Sequence, residues 1–446
     1  MLKHVPRLHL RAKALIFVFF LGLLWLSLPY DNTLVLMVRW HFNAITGAMT
    51  PNDRWTSESP PFPTSMDDVA MLIKTGFSTQ ERLVAKLKAI SNAGSSTNIV
   101  LVGDYSTSPG SHFSCRGIEV PVYDALAWMI NRDNISLQLN VNRLKYYGEL
   151  TSAIAAGDKE LALSIGETHG WELDIMKHVS GLELGYKTLP DKKWYVLLDD
   201  DTYILEPSLK HILEHLDSSV PHYFGNAIGG PYITRFAHGG SAIVISQEAM
   251  RCVFIQNSNL ISAFNNESLT AGWGDALVAN TLMKNGIYLE ERYAHHFNGE
   301  PPRLTRIRPD RFCTPIVSFH SLGPEQMNAV GIKFRGIIKP VSGVGIWNLY
   351  EARTLSSFLD DPFRAEWDHV GRLDQSSTVT TNDVQTKEDC LQICLANYDT
   401  CLAWTWEQEN HACHVSPWII VGNTTEHRFT GINTQRAITL ASQCLH

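Results

Sequence analysis

An unbroken apolar run, Trp194-Tyr195-Val196-Leu197-Leu198, ends at three consecutive aspartates, Asp199, Asp200 and Asp201. The run fits a buried strand that delivers its end to an acidic turn. Thr202 and Tyr203 favour a second short strand, and Pro207 suits the first turn of a helix whose Leu209, Ile212, Leu213 and Leu216 share one face. A further strand is expected at Ile99-Val100-Leu101-Val102, ending at Gly103-Asp104. Trp171 to Leu184 carries apolar residues at helical spacing, and Leu72 to Ile90 is amphipathic. Ser241 to Ile245 reads as a strand followed by a helix from about Glu248. Asp275 opens a run with Leu277, Val278 and Leu282 on one face, closed by Asn285-Gly286. Strands alternating with helices predict an α/β domain with a mostly parallel sheet. Ligands of such sheets bind at the carboxyl ends of strands, where Asp104 and the three aspartates fall.

The two ends of the chain differ from this middle part. Lys3, Arg7, Arg11 and Lys13 precede an uncharged stretch from Ala14 to Tyr30. The pattern predicts a cytoplasmic tail over 1–13, a transmembrane signal anchor over 14–30 and a lumenal remainder, with a cleaved signal peptide as the alternative. Residues 31–93, with Pro60, Pro61 and Pro63, read as a stem, and the amphipathic patch from Leu72 either packs on the next domain or extends that stem. Polar, Gly/Ser-rich residues 92–97 mark a boundary before a domain over 94–358. In the C-terminal unit, 363–446, Thr386-Lys387-Glu388-Asp389 resembles a capping box, and Cys390 and Cys394 then lie on one helical face. Cys401 and Cys413 flank the strand-like Leu402 to Trp406. Four cysteines in so short a span describe a small α+β module stapled by disulfides, with a zinc site as the competing reading.

A formal charge of -8 and ordinary Lys/Arg content exclude a nucleic-acid partner. The eight cysteines and the sequons at Asn134, Asn266 and Asn423 agree with a lumenal, glycosylated protein. Three adjacent carboxylates repel one another and are costly to desolvate, so a cation is expected among them. Oxygen donors of this kind suit Mg²⁺ or Mn²⁺, and those ions suit phosphate-bearing substrates. The plain alternative is a solvated acidic turn. A structural Ca²⁺ role finds no EF-hand spacing to support it.

Residues 95 to about 325 resemble the Fringe-like and core 1 β1,3-galactosyltransferase-like glycosyltransferases. The resemblance rests on Trp194 to Tyr203 with its aspartates, His238-Gly239-Gly240-Ser241-Ala242, Gly272-Trp273-Gly274-Asp275 and Ser318-Phe319-His320-Ser321, in the family's order. Trp171-x-Leu173-Asp174-x-x-Lys177 is similar to the family's donor-side helix. Residues 366 to about 422 resemble a PAN/Apple module, a pairing of the fungal type. The resemblance implies a Rossmann-like, D-x-D nucleotide-sugar fold and a Golgi enzyme of type II topology. It implies metal-dependent, inverting transfer of a hexose or N-acetylhexosamine from a UDP-sugar to a glycan or glycoprotein, in β1,3 linkage.

Residue by residue, Asp201 is implied as direct ligand of Mn²⁺ (or Mg²⁺), with His320 as second protein ligand and His296 as its fallback. Asp199 would contact the ribose or a metal-bound water, with Asp200 in support. Asp275 is implied as the catalytic base; the alternative is that it only caps its helix. The family often has a second acid beside it, where this chain has Gly274. Asp104 would contact uracil or ribose, or serve a turn. Asp174 and Lys177 would form an exposed ion pair, or Lys177 would meet the diphosphate. Gly239 and Gly240 admit substrate or merely turn into a strand, and Trp273 stacks on a sugar or packs in the core. Cys390 is expected to pair with Cys413 and Cys394 with Cys401, leaving Cys115, Cys252, Cys313 and Cys444 unassigned. The competing function is an inactive lumenal protein that binds carbohydrate or protein through its PAN/Apple-like module.

Overall fold

The computed structural model describes residues 28–47, 49, 53–93, 98–107, 113–137 and 140–445. The expected anchor, 14–30, lies outside the described residues except for its last three. Among the described residues no helix is long and apolar enough to cross a membrane.

The first domain is built on a six-stranded sheet. Its strands are β1 (Val69–Lys74), β2 (Ile99–Gly103), β3 (Val122–Asp124), β4 (Trp194–Asp199), β5 (Tyr223–Gly225) and β6 (Ile243–Ser246), in spatial order β3-β2-β1-β4-β6-β5. The first four are mutually parallel, while β6 runs antiparallel to both β4 and β5. The sheet is therefore mostly parallel, as the alternation of elements predicts. Its central strands are buried on both faces, which explains their unbroken apolar runs. Ala70, Leu72, Tyr195 and Leu197 enter the core on one side; Met71, Ile73, Val196 and Leu198 enter the core on the other.

Two helices matter for the site. α1 (Gln80–Ala93) follows β1, and α2 (Lys159–Thr188) crosses one face of the sheet. Gly181 and Gly185 of α2 lie against Val102 and Leu72, where an added Cβ would come within 2.7 and 2.4 Å of those side chains. Close helix–sheet contact thus needs glycine at both positions. α3 (Glu206–Leu213) and α4 (Gly274–Lys284) sit where sequence spacing puts them.

The stem reading of 31–93 needs correction. Its last part holds β1, which pairs with β2 and β4 in the middle of the sheet, and α1, which packs on the same domain. The amphipathic stretch Leu72 to Ile90 is not one helix but the end of a strand, a Gly76 turn and a helix.

The second module is a five-stranded antiparallel sheet of β7 (Arg364–Asp368), β8 (Val379–Thr381), β9 (Ala403–Glu407), β10 (Ala412–Ser416) and β11 (Asn423–Ile432), with α5 (Lys387–Ala396) laid against it. Thr386 caps α5 through the Asp389 N–H. Cys390–Cys413 and Cys394–Cys401 are disulfides, which excludes zinc there. Cys313 and Cys444, unassigned from sequence, are bonded and join the first domain to the C-terminal tail. Cys115 and Cys252 take part in no disulfide. The modules also share a core: Tyr203, Phe319 and Trp347 of the first belong to one apolar cluster with Leu402, Ile419 and Ile432 of the second.

Candidate active site

The register of β1 on β4 sets Lys74 beside Asp199 at the carboxyl end of the sheet. The buried Lys74 Nζ lies 2.7 Å from Asp199 Oδ1 and 2.6 Å from Asp174 Oδ2. Burial works against ionising Asp199, but the Lys74 ammonium prevails and holds its carboxyl below the usual range. One turn along α2 from Asp174, Lys177 donates to the Thr75 carbonyl at 2.7 Å and to Asp104 Oδ2 at 3.1 Å, and lies 3.4 Å from Asp174. Asp104 also accepts the Phe77 N–H at 3.0 Å. The Asp174–Lys177 pair is thus not exposed: Lys177 is buried in a four-residue charge network that includes Asp104 and Lys74. Paired this way, the buried charges offset one another and rigidify the site's floor.

Asp200 points inward. Thr75 and Thr79 donate to its Oδ2 at 2.8 and 2.5 Å. Burial, reinforced by Asp201 and Asp199, still pushes its pKa up to about 6. Beneath the triplet, the buried Lys86 of α1 donates to the Thr202 carbonyl. Desolvation brings its pKa down to about 8 despite the three aspartates.

Asp201 and His320 meet because of a short strand pair. Tyr203–Ile204 lies antiparallel to Ser318–Phe319, with Phe319 opposite Tyr203, and the Asp201 carbonyl accepts the Leu322 N–H at 3.1 Å. His320 Nε2 then stands 3.3 Å from Asp201 Oδ1 and 3.9 Å from Asp199 Oδ2. The imidazole fits only because residue 240 is glycine: a Cβ there would lie 2.3 Å from His320 Nε2. Asp199, Asp201 and His320 each offer a donor atom within 4.8 Å of the others. Two carboxylates and one imidazole, with room for substrate oxygens, fit a hard or borderline divalent ion such as Mn²⁺. His296, the fallback ligand, belongs to a different cluster.

Asp275 lies in the first turn of α4 and does not cap it; the cap position is Trp273. Its Oδ2 accepts the Gly239 N–H at 3.1 Å and its Oδ1 the Ala276 N–H at 2.9 Å. The Gly239-Gly240 turn, a single 3₁₀ turn entering β6, therefore touches Asp275 on one side and His320 on the other. Gly274 is imposed from below, since a Cβ would fall 2.2 Å from Nδ1 of the buried His178. His178 Nδ1 in turn contacts the Asp174 carbonyl at 2.9 Å. Trp273 is not core: it is 60% exposed and meets Trp171 edge to face at 6.0 Å.

A cleft of about 650 Å³ opens over the aspartates and their lysines, lined among others by Lys74, Thr79, Arg82, Trp171, Asp199 and Asp201; His320, Asp275 and Trp273 are not among its lining residues. Arg82 lies 3.6 Å from Asp201 and is half-exposed. Asp104 is buried behind Lys177 and is not part of the lining. Asn134, Asn266 and Asn423 are all exposed.

Of the residues read from the sequence, Asp199, Asp201 and His320 meet directly, Asp275 adjoins them through the Gly239-Gly240 turn, and Asp200 is turned inward onto its threonines. Sequence reasoning missed Lys74, Lys86, Thr75, Thr79 and Arg82, all on β1, its turn or α1. The signal was present: Val69 to Ile73 is an apolar run closed by Thr75-Gly76, much like the one before Asp199.

Residues 171–340 match the Fringe-like family model, and residues 370–436 match the PAN domain. A stretch of 91 residues is 30% identical to the glycoprotein-N-acetylgalactosamine 3-beta-galactosyltransferase 1 of Xenopus laevis. That stretch spans 20% of this chain and 25% of the relative.

Proposed function

We propose that this chain, a Fringe-like domain joined to a C-terminal PAN domain, is a metal-dependent, inverting glycosyltransferase. It moves a hexose or N-acetylhexosamine from a UDP-sugar to a glycan or glycoprotein acceptor, in β1,3 linkage. The relative's name makes galactose the first donor to test. An N-terminal anchor would hold it in the Golgi membrane with its catalytic domain in the lumen. The observation that carries the reading is the meeting of Asp199, Asp201 and His320 at the carboxyl end of β4, where the two aspartates line a cleft of ligand size.

In this reading Asp201 and His320 hold Mn²⁺ or Mg²⁺, and Asp199, fixed by Lys74, faces the ribose or a metal-bound water. The ion would supply electrostatic stabilisation of the leaving diphosphate. Asp200 stays buried on its two threonines and shapes the turn. Arg82 offers a cation at the same edge of the cleft. Asp275 takes the proton from the acceptor hydroxyl as that oxygen attacks the anomeric carbon and UDP departs. Its two backbone hydrogen bonds aim the carboxylate and leave each oxygen a second lone pair. Trp273 and Trp171 present aromatic faces to a sugar at the cleft mouth.

UDP release from a panel of UDP-sugars, with Mn²⁺ and with chelator, tests this. Chelator is expected to abolish turnover, and Asp201→Ala and His320→Ala to match the chelated level. Asp275→Asn should cost about 10²-fold or more with binding of UDP retained. No metal-dependent turnover on any donor, with glycan binding intact in these variants, would leave the binding-protein reading instead.

A further inference from the structure

Away from the cleft, three metal-ligating side chains meet at the entrance to the first domain. Asp53 sits just before the short turn Arg54–Ser57, and His295 and His296 end the turn Glu291–His296. His295 Nε2 is 2.7 Å from Asp53 Oδ1, and His296 Nε2 is 3.3 Å from the same oxygen. The three donor atoms all lie within 4.8 Å of one another. Both imidazoles are buried, His296 completely, while Asp53 keeps 24% of its side chain open and gives an ion a way in.

The tautomers make this cluster more than a hydrogen-bonded corner. His296 Nδ1 is 2.9 Å from the Pro315 carbonyl, which can only accept. Neutral His296 must therefore carry its proton on Nδ1, and its Nε2 is a bare lone pair. That lone pair faces a carboxylate oxygen and has no hydrogen-bond donor. Two acceptors at 3.3 Å inside a protein need either a proton or a metal cation between them. The Nδ1–carbonyl bond is also the usual support of a metal-bound histidine. The remaining Asp53 oxygen is oriented by the Thr314 hydroxyl. Trp55 lies against the His296 ring at 5.7 Å and helps keep the spot dry.

We infer that Asp53 Oδ1, His295 Nε2 and His296 Nε2 form a second metal site, selective for a zinc-class divalent ion. Two imidazoles and one carboxylate favour zinc, whereas the cleft, richer in carboxylates, favours manganese or magnesium. The ion would clamp the segment leading into β1 onto the turn Glu291–His296, which is hydrogen-bonded to the segment just before His320. The His296 carbonyl accepts the Val317 N–H at 2.8 Å, three residues before His320. This assignment does not depend on the reaction proposed above.

The test is the zinc content of the full chain after dialysis against metal-free buffer. About one zinc per chain should persist in the parent and in Asp201→Ala, and fall to background in His296→Gln and Asp53→Asn. Thr314→Val, which removes only the group orienting Asp53, should weaken zinc retention by about tenfold or more. X-ray absorption at the zinc edge of the unmutated chain should show two imidazole nitrogens and a carboxylate oxygen, a readout immune to misfolding of variants. A parent chain that holds no zinc and whose melting temperature ignores added Zn²⁺ would overturn the site, leaving a protonated His296–Asp53 pair. Zinc that is lost with Asp201→Ala but kept by His296→Gln would overturn it too.

Discussion

Single residues in this site are constrained by what lies beneath them as much as by chemistry above. Residue 274 is glycine for a local reason: the His178 imidazole occupies the space a Cβ would need. Gly274→Ala should therefore destabilise the fold by about 1–3 kcal/mol through overpacking. Combining it with His178→Ala should recover part of that loss, so thermal melts of the two single variants and the pair will be non-additive. Strict additivity would mean that the glycine serves backbone freedom or substrate access instead. At this scale the sequence was most legible for residues that chemistry crowds together. Three adjacent aspartates advertise a site because their mutual repulsion has no structural use. The basic residues that balance them, Lys74, Lys86 and Arg82, come from distant positions and carry no such mark.

Those bases became visible only when the elements were placed. Lys74 lies in register with Asp199 because β1 and β4 pair in parallel. Counting Leu72 to Lys74 with the amphipathic stretch Leu72 to Ile90 hid that neighbour, since helical and strand spacing cannot be told apart in a short apolar run. β4, β6 and α4 were legible because each is bounded by turn or capping residues. The pairing of Tyr203–Ile204 with Ser318–Phe319 was not, because two-residue strands leave no periodicity to read. The buried ammonium makes a specific forecast at this level. Lys74→Met leaves Asp174 and Asp199 without their common counter-ion and should cost about 3 kcal/mol or more in metal-free buffer. Mn²⁺ should then raise the melting temperature of Lys74→Met by more than it raises that of the parent, because a divalent ion replaces part of the missing charge. An equal response in both proteins would show that Lys74 and the metal do not share Asp199.

For the whole molecule, the C-terminal module is part of the first domain's own core rather than a tethered appendage. The strand pair that sets Asp201 against His320 also supplies Tyr203 and Phe319 to the cluster shared with Ile419 and Ile432. Cys313–Cys444 closes the same junction. Sequence could mark the module, from its cysteine spacing and capping box, but not this attachment, which depends on side chains more than 100 residues apart. His369 gives the junction a titratable member. It is fully buried, contacts the Ile420 carbonyl at 3.0 Å, and packs near Trp347 and Phe358 at 5.2 and 5.6 Å. Desolvation lowers its pKa from 6.5 to about 4. The unfolded chain therefore binds a proton at this residue before the folded chain does. Stability must fall as pH drops from about 6.5 to about 4, by at most about 3 kcal/mol for this group, and show no dependence on it above that window. Denaturant melts across that range should show the slope in the parent and a shallower one in His369→Phe. A slope unchanged by His369→Phe would place the acid sensitivity elsewhere in the fold.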